Sequence, residues 1–86
     1  MPRYGWRFGG EEAEKQYDNL PEDSRRLVNQ RIRELLEDPI NIPDRVYDAH
    51  NDTHIIPIGD DKGFIVYAIE QNFRLVIGYR FTPGLN

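Results

Sequence analysis

Phe64-Ile-Val-Tyr-Ala-Ile-Glu-Gln-Asn-Phe-Arg-Leu-Val-Ile-Gly-Tyr-Arg-Phe81 contains two apolar runs split by Glu70-Gln71-Asn72. The first, Phe64 to Ile69, is apolar at nearly every position, which predicts a central strand covered on both sides. The second, Phe73 to Phe81, alternates. It sets Phe73, Leu75, Ile77, Tyr79 and Phe81 on one face of a strand, and Arg74, Val76, Gly78 and Arg80 on the other. Upstream, His54-Ile-Ile-Pro-Ile58 is a short strand in which Pro57 lacks a donor, so an edge or bulged position is expected. Gly59 to Gly63 has the composition of a hairpin turn. Three strands joined by tight turns make an antiparallel sheet.

Further upstream the period changes. Leu20-Pro21 opens PEDSRRLVNQRIRELLEDP, where a proline and two acids mark a helix start and Val28, Ile32, Leu35 and Leu36 form a buried stripe. Asp38-Pro39 ends it, because the residue before a proline is pushed out of helical geometry. From Glu11 a shorter amphipathic helix places Ala13, Tyr17 and Leu20 on one side. The very short connection predicts an antiparallel helical hairpin. Before it, Tyr4, Trp6 and Phe8 alternate with Gly5 and Arg7 as a first strand with an aromatic face, broken by Gly9-Gly10. Residues 39–53 read as a loop, with a brief extended piece near Val46. The order β-α-α-β-β-β predicts an α+β fold of two layers, a helical hairpin packed on a small, mainly antiparallel sheet.

The chain has 86 residues, which is one domain spanning 1–86. The absence of cysteine excludes disulfides, thiolate nucleophiles and sulfur-ligated metal sites. No apolar run is long enough to span a membrane, so a cytoplasmic protein without membrane contact is expected. The net charge of −4 argues against wrapping nucleic acid over the whole surface. The charge is segregated, however: acidic stretches at 11–24 and 34–61 alternate with basic ones at 25–33 and 62–86. Nine of the 11 cations are arginine, whose planar fork suits phosphate as well as carboxylate.

Phosphate-cradling glycine loops, HExxH and GxSxG motifs are missing. The segment Asp48-Ala-His50-Asn51-Asp52-Thr-His54 has oxygen and nitrogen ligand types, but its spacing makes a ligand pair mainly on a helix, and a polar loop is the simpler account. Arg26 and Arg33 share a helix face with Glu22, Asn29 and Glu37, which favours a self-neutralised surface over a phosphate stripe. Arg74 and Arg80 beside Tyr79, with Arg45 or Lys62 folded back, would suit clamping an RNA phosphate while a phenol or a histidine handles the proton. Pairing of these arginines with Glu70 and the aspartates is the competing account.

The stretch from Ala13 to Arg80 resembles the RelE/ParE superfamily of toxins from bacterial type II toxin–antitoxin systems. The resemblance lies in Leu20-Pro21, Arg31-Ile32, Leu35 and Asp38-Pro39, in the strand Ile65 to Ile69, and in the final Val76 to Phe81. It implies a toxin neutralised by an antitoxin protein and, in the ribonuclease branch, cleavage of messenger RNA in the ribosomal A site without a cofactor or metal. On that basis the catalytic candidates are Arg80, Tyr79, His54 and Lys62, with Arg45 and Arg74 as RNA-binding residues. Arg80 matches the terminal arginine of that branch. The positions that usually carry a further arginine and two lysines are here Phe64, Ile55 and Pro57. A gyrase-poisoning toxin of the ParE branch, with DNA gyrase as its target, and a catalytically inactive binding module are the alternatives.

Overall fold

The computed structural model describes residues 3–59 and 63–83. After the first strand β1 (Gly5–Phe8) come the helices α1 (Glu11–Asp18) and α2 (Glu22–Glu37), then β2 (Val46–Asp48), β3 (Thr53–Pro57), β4 (Gly63–Glu70) and β5 (Leu75–Pro83). Acidic residues fill the first turn of both helices, where they meet the positive end of the helix dipole. The Asp38 carboxylate closes α2 by accepting from the backbone N–H groups of Ile40 and Asn41 and from the Asn41 side chain. Those donors, the Asn41 side chain first, hold its pKa below the ordinary carboxylate value. The helices are tied together by the Tyr17 hydroxyl donating to Asn29 and by the Arg25 guanidinium donating to the Asp18 carbonyl.

The sheet order is β1-β5-β4-β3-β2. β1 runs parallel to β5 and every other pairing is antiparallel. The expected two-layer α+β order is therefore present, with the extended piece near Val46 added as a three-residue edge strand. One face of the sheet carries Ile56, Ile65, Tyr67, Val76 and Phe81, which bury against Ala13, Leu20, Val28 and Leu35 of the helical layer. Trp6, Phe8, Tyr17 and Phe81 form an aromatic cluster at the β1 end, with ring centroids 5.5–6.1 Å apart.

The structure corrects three sequence expectations. β4 is central but covered on one face only: Phe64 is 51% exposed, and the apolar run reflects an open face that is itself apolar. Pro57 lies on an interior strand, yet β2 pairs only with Thr53 to Ile55, so the missing donor falls beyond the reach of the edge strand. The last strand begins at Leu75, since residues 71–74 form the turn and Arg74 takes the left-handed conformation, with φ of 51°.

Tyr67 is fully buried and its hydroxyl donates to the Pro39 carbonyl at 2.8 Å, fastening the sheet to the segment that follows α2. Tyr67→Phe would leave that carbonyl without its donor. A loss of about 1–3 kcal/mol is expected. It would be seen as a fall in Tm of at least about 4 °C; a variant that melts with the wild type would show the bond to be dispensable.

Candidate functional site

Between Val66 and Tyr67 the β4–β5 register shifts: Val66 pairs with Arg80, but Tyr67 pairs with Gly78. Tyr79 is thus an extra residue in β5, a β-bulge. Gly78 still faces the helices, where the Trp6 ring lies over it, and Phe81 is again buried. Tyr79 and Arg80 both emerge on the open face. The strict alternation that set them on opposite sides of the strand is corrected by this single insertion. Tyr79 is 46% exposed, and its ring packs over Gly9, where a Cβ would come within 2.6 Å of it.

Around this pair the open face has two parts. On one side a row of cross-strand partners, Val46, Ile55 and Val66, leads to Arg80. On the other, a shallow depression of about 450 Å3 is floored by Ala68 and Ile77 and bordered by Tyr79, Glu70, Asp52, Asn51 and Thr53. Arg7 is the β1 partner of Ile77 and reaches the same face. Neither Arg7 nor Arg80 forms an ion pair among the described residues, whereas Arg26 pairs with Glu22 and Arg31 with both Glu34 and Asp44. Arg7 was missed as a site residue, although the period of two already set it opposite Trp6 and Phe8.

The structure does not bring His54, Arg45 or Arg74 to Tyr79 and Arg80. His54 lies on the helix-side face of β3, 9% exposed, with its ring stacked on Tyr67 at 5.2 Å and tilted against Tyr47 at 5.0 Å. Arg45 turns the same way: its Nε donates to the Ile40 carbonyl and its guanidinium lies 2.8 Å from His54 Nδ1. Arginine offers only donors, so Nδ1 is the acceptor and the imidazole is the neutral Nε2–H tautomer. Arg74 sits in the β4–β5 turn, where its carbonyl accepts from Gly5. Lys62 lies outside the described residues. Asp48 ends β2 and His50 lies in the turn before β3, where Asp48 accepts from the His50 backbone and from the Asn51 side chain.

Burial, and then the Arg45 charge, hold the His54 pKa below the usual 6.5, against a weaker opposite pull from Asp52. The unfolded chain therefore binds the proton at higher pH than the folded one. The stability contributed by neutral His54 is complete above about pH 6.5 and is lost as pH falls through that value toward the folded pKa. We expect Tm to fall between about pH 7.5 and about pH 5.5, and His54→Gln, which keeps an acceptor for Arg45, to flatten that slope. Equal slopes for the two proteins would contradict the assignment.

No protein-family model and no curated protein matches the chain. Solved structures do. The isolated RelE toxin of E. coli superposes with a TM-score of 0.81 at 20% identity, covering 96% of this chain and 86% of that one. The RelBE2 toxin–antitoxin complex of Mycobacterium tuberculosis gives 0.77 at 19% identity, covering 96% and 99%. The archaeal RelE–RelB complex of Pyrococcus horikoshii gives 0.73 at 13%, covering 94% of each chain. The fold is that of RelE toxins. Among the described residues no helix is long and apolar enough to cross a membrane.

Proposed function

We propose that this chain is the toxin of a type II toxin–antitoxin pair and that its open sheet face acts on messenger RNA, on the ribosome and hence in the cytoplasm. The observation that carries this proposal is the placement of Tyr79 and Arg80 side by side on the open face of a RelE-type fold. Arg80 supplies a fixed cation for a phosphodiester. Cleavage by the neighbouring 2′-hydroxyl forms a 2′-oxygen–phosphorus bond and breaks the bond to the 5′-oxygen. The Tyr79 phenol donates the proton that the departing 5′-oxygen needs, and a carboxylate of the adjoining depression, Asp52 or Glu70, takes the proton from the 2′-hydroxyl. The cations are few, so positioning by the ribosome carries much of the rate.

Support for an antitoxin partner comes from the similar toxins, which are found in complexes with RelB or a RelB peptide. The test is tightly controlled induction in bacteria with mapping of message 5′ ends. Growth arrest with new cuts inside translated messages is expected. Normal growth in the presence of folded protein overturns the proposal.

A second function is favoured by the apolar row Val46, Ile55 and Val66 and by the absence of cations at Ile55, Pro57 and Phe64. It is that of a toxin-fold module that binds protein without cleaving RNA. Unaltered RNA together with a tight protein partner would establish it, and arrest with broken DNA in place of cut RNA would point to the gyrase branch.

A further inference from the structure

We propose that Phe64 is a base-stacking residue, and that Phe64 and Tyr79 bracket Arg80 so that single-stranded RNA is held on the open face more by stacking than by charge. This rests on the RNA-directed function above and adds how the strand is gripped. Phe64 pairs with Thr82, and Val66 with Arg80, so Phe64 and Arg80 are diagonal neighbours on one face of two adjacent strands. Aromatic and long side chains reach each other across such a diagonal. On the other side of Arg80 is Tyr79, its neighbour in the chain, turned to the same face by the bulge. Two half-exposed rings therefore flank one arginine that has no carboxylate partner among the described residues.

That arrangement fits one phosphate with a base on either side. Every base has a π-face, and stacking on an aromatic ring is tolerant of sequence. A chain with a net charge of −4 repels an RNA backbone overall, so the patch must offset this locally, and among the described residues Arg7 and Arg80 share the open face with both rings. The apolar run at Phe64 to Ile69 thereby acquires a purpose at its exposed end that core packing does not supply.

The test titrates the purified full chain with a short fluorescent single-stranded RNA over a range of salt concentrations. Phe64→Ala is expected to weaken binding by about tenfold or more, with the salt dependence unchanged. Arg80→Ala should instead lower the log–log salt slope by about 0.7, one phosphate's worth for a single strand. Phe64→Trp should bind at least as tightly as the wild type. Phe64→Leu, which keeps apolar bulk without a π-face, should behave like the alanine variant, and abasic RNA should reproduce the same loss on the wild-type protein.

Because Phe64 is half exposed, these variants should keep the fold, which the emission of Trp6 checks. Wild-type affinity for RNA in Phe64→Leu overturns the proposal. If messages are still cut and Phe64→Ala binds RNA normally, the stacking role fails while the RNA-directed function stands. If the wild type neither binds RNA nor arrests growth, that function fails and the stacking role with it.

Discussion

Arg80→Ala is expected to reduce cleavage of ribosome-bound messages by about two to three orders of magnitude, the scale of losing one preorganised charge-stabilising donor. The side chain is exposed on the open face and forms no ion pair among the described residues. Its removal should leave stability within about 0.5 kcal/mol of the wild type. The prediction is therefore a split: activity is lost while the melting curve is retained. The decisive measurement pairs a growth and 5′-end assay with a thermal melt of the same variant. Equal toxicity of wild type and variant would remove Arg80 from the mechanism. A variant that is inactive and also unfolded would assign the arginine a structural role.

Gly78→Ala should lower stability by as much as any substitution proposed above. A Cβ at residue 78 would lie 2.5 Å from Trp6 Cη2 and Cζ2 and 3.2 Å from Phe81 Cζ. The Trp6 ring cannot swing aside freely, because it packs on both Phe8 and Phe81. Overpacking of this kind costs about 1–3 kcal/mol. For a domain of this size that corresponds to a fall in Tm of roughly 4 °C for each kcal/mol at the least. Trp6 is the only tryptophan, so its fluorescence reports the disturbance directly. An unchanged emission maximum and Tm would mean that the ring has room the geometry does not reveal.

The contrast between residues 78 and 79 shows where sequence legibility ends. Alternation along Val76, Ile77 and Gly78 follows from the chain itself and is observed. The insertion at Tyr79 depends on how β4 and β5 pair, a non-local outcome that no composition signal marks, and it decides which side chains share a face with Arg80. His54 lies away from Tyr79 and Arg80 for a similar reason. Its strand was legible, but the face it occupies follows from the packing of Ile56 and Tyr67 and from Arg45 folding back over it. The helices were readable to within a residue or two, because proline, acidic first turns and the Val28 to Leu36 stripe act locally. Phe64 misled in the opposite direction: an apolar residue in an apolar run reads as core, and only the absence of a second covering layer exposes it.

The parallel pairing of β1 with β5 also bears on the order of events during synthesis. Gly5 to Phe8 are made early, yet their partners, Leu75 to Gly78, lie at the far end of the described fold. Until the ribosome has released that later segment, the first strand has no ladder to join, and Trp6 and Phe8 lack the Phe81 ring they pack against. Contacts so distant along the chain form slowly. The bulge that turns Tyr79 and Arg80 outward belongs to the same late strand. A nascent chain therefore has no completed open face until β5 has left the ribosome, which separates the making of the first strand from the moment that face is assembled.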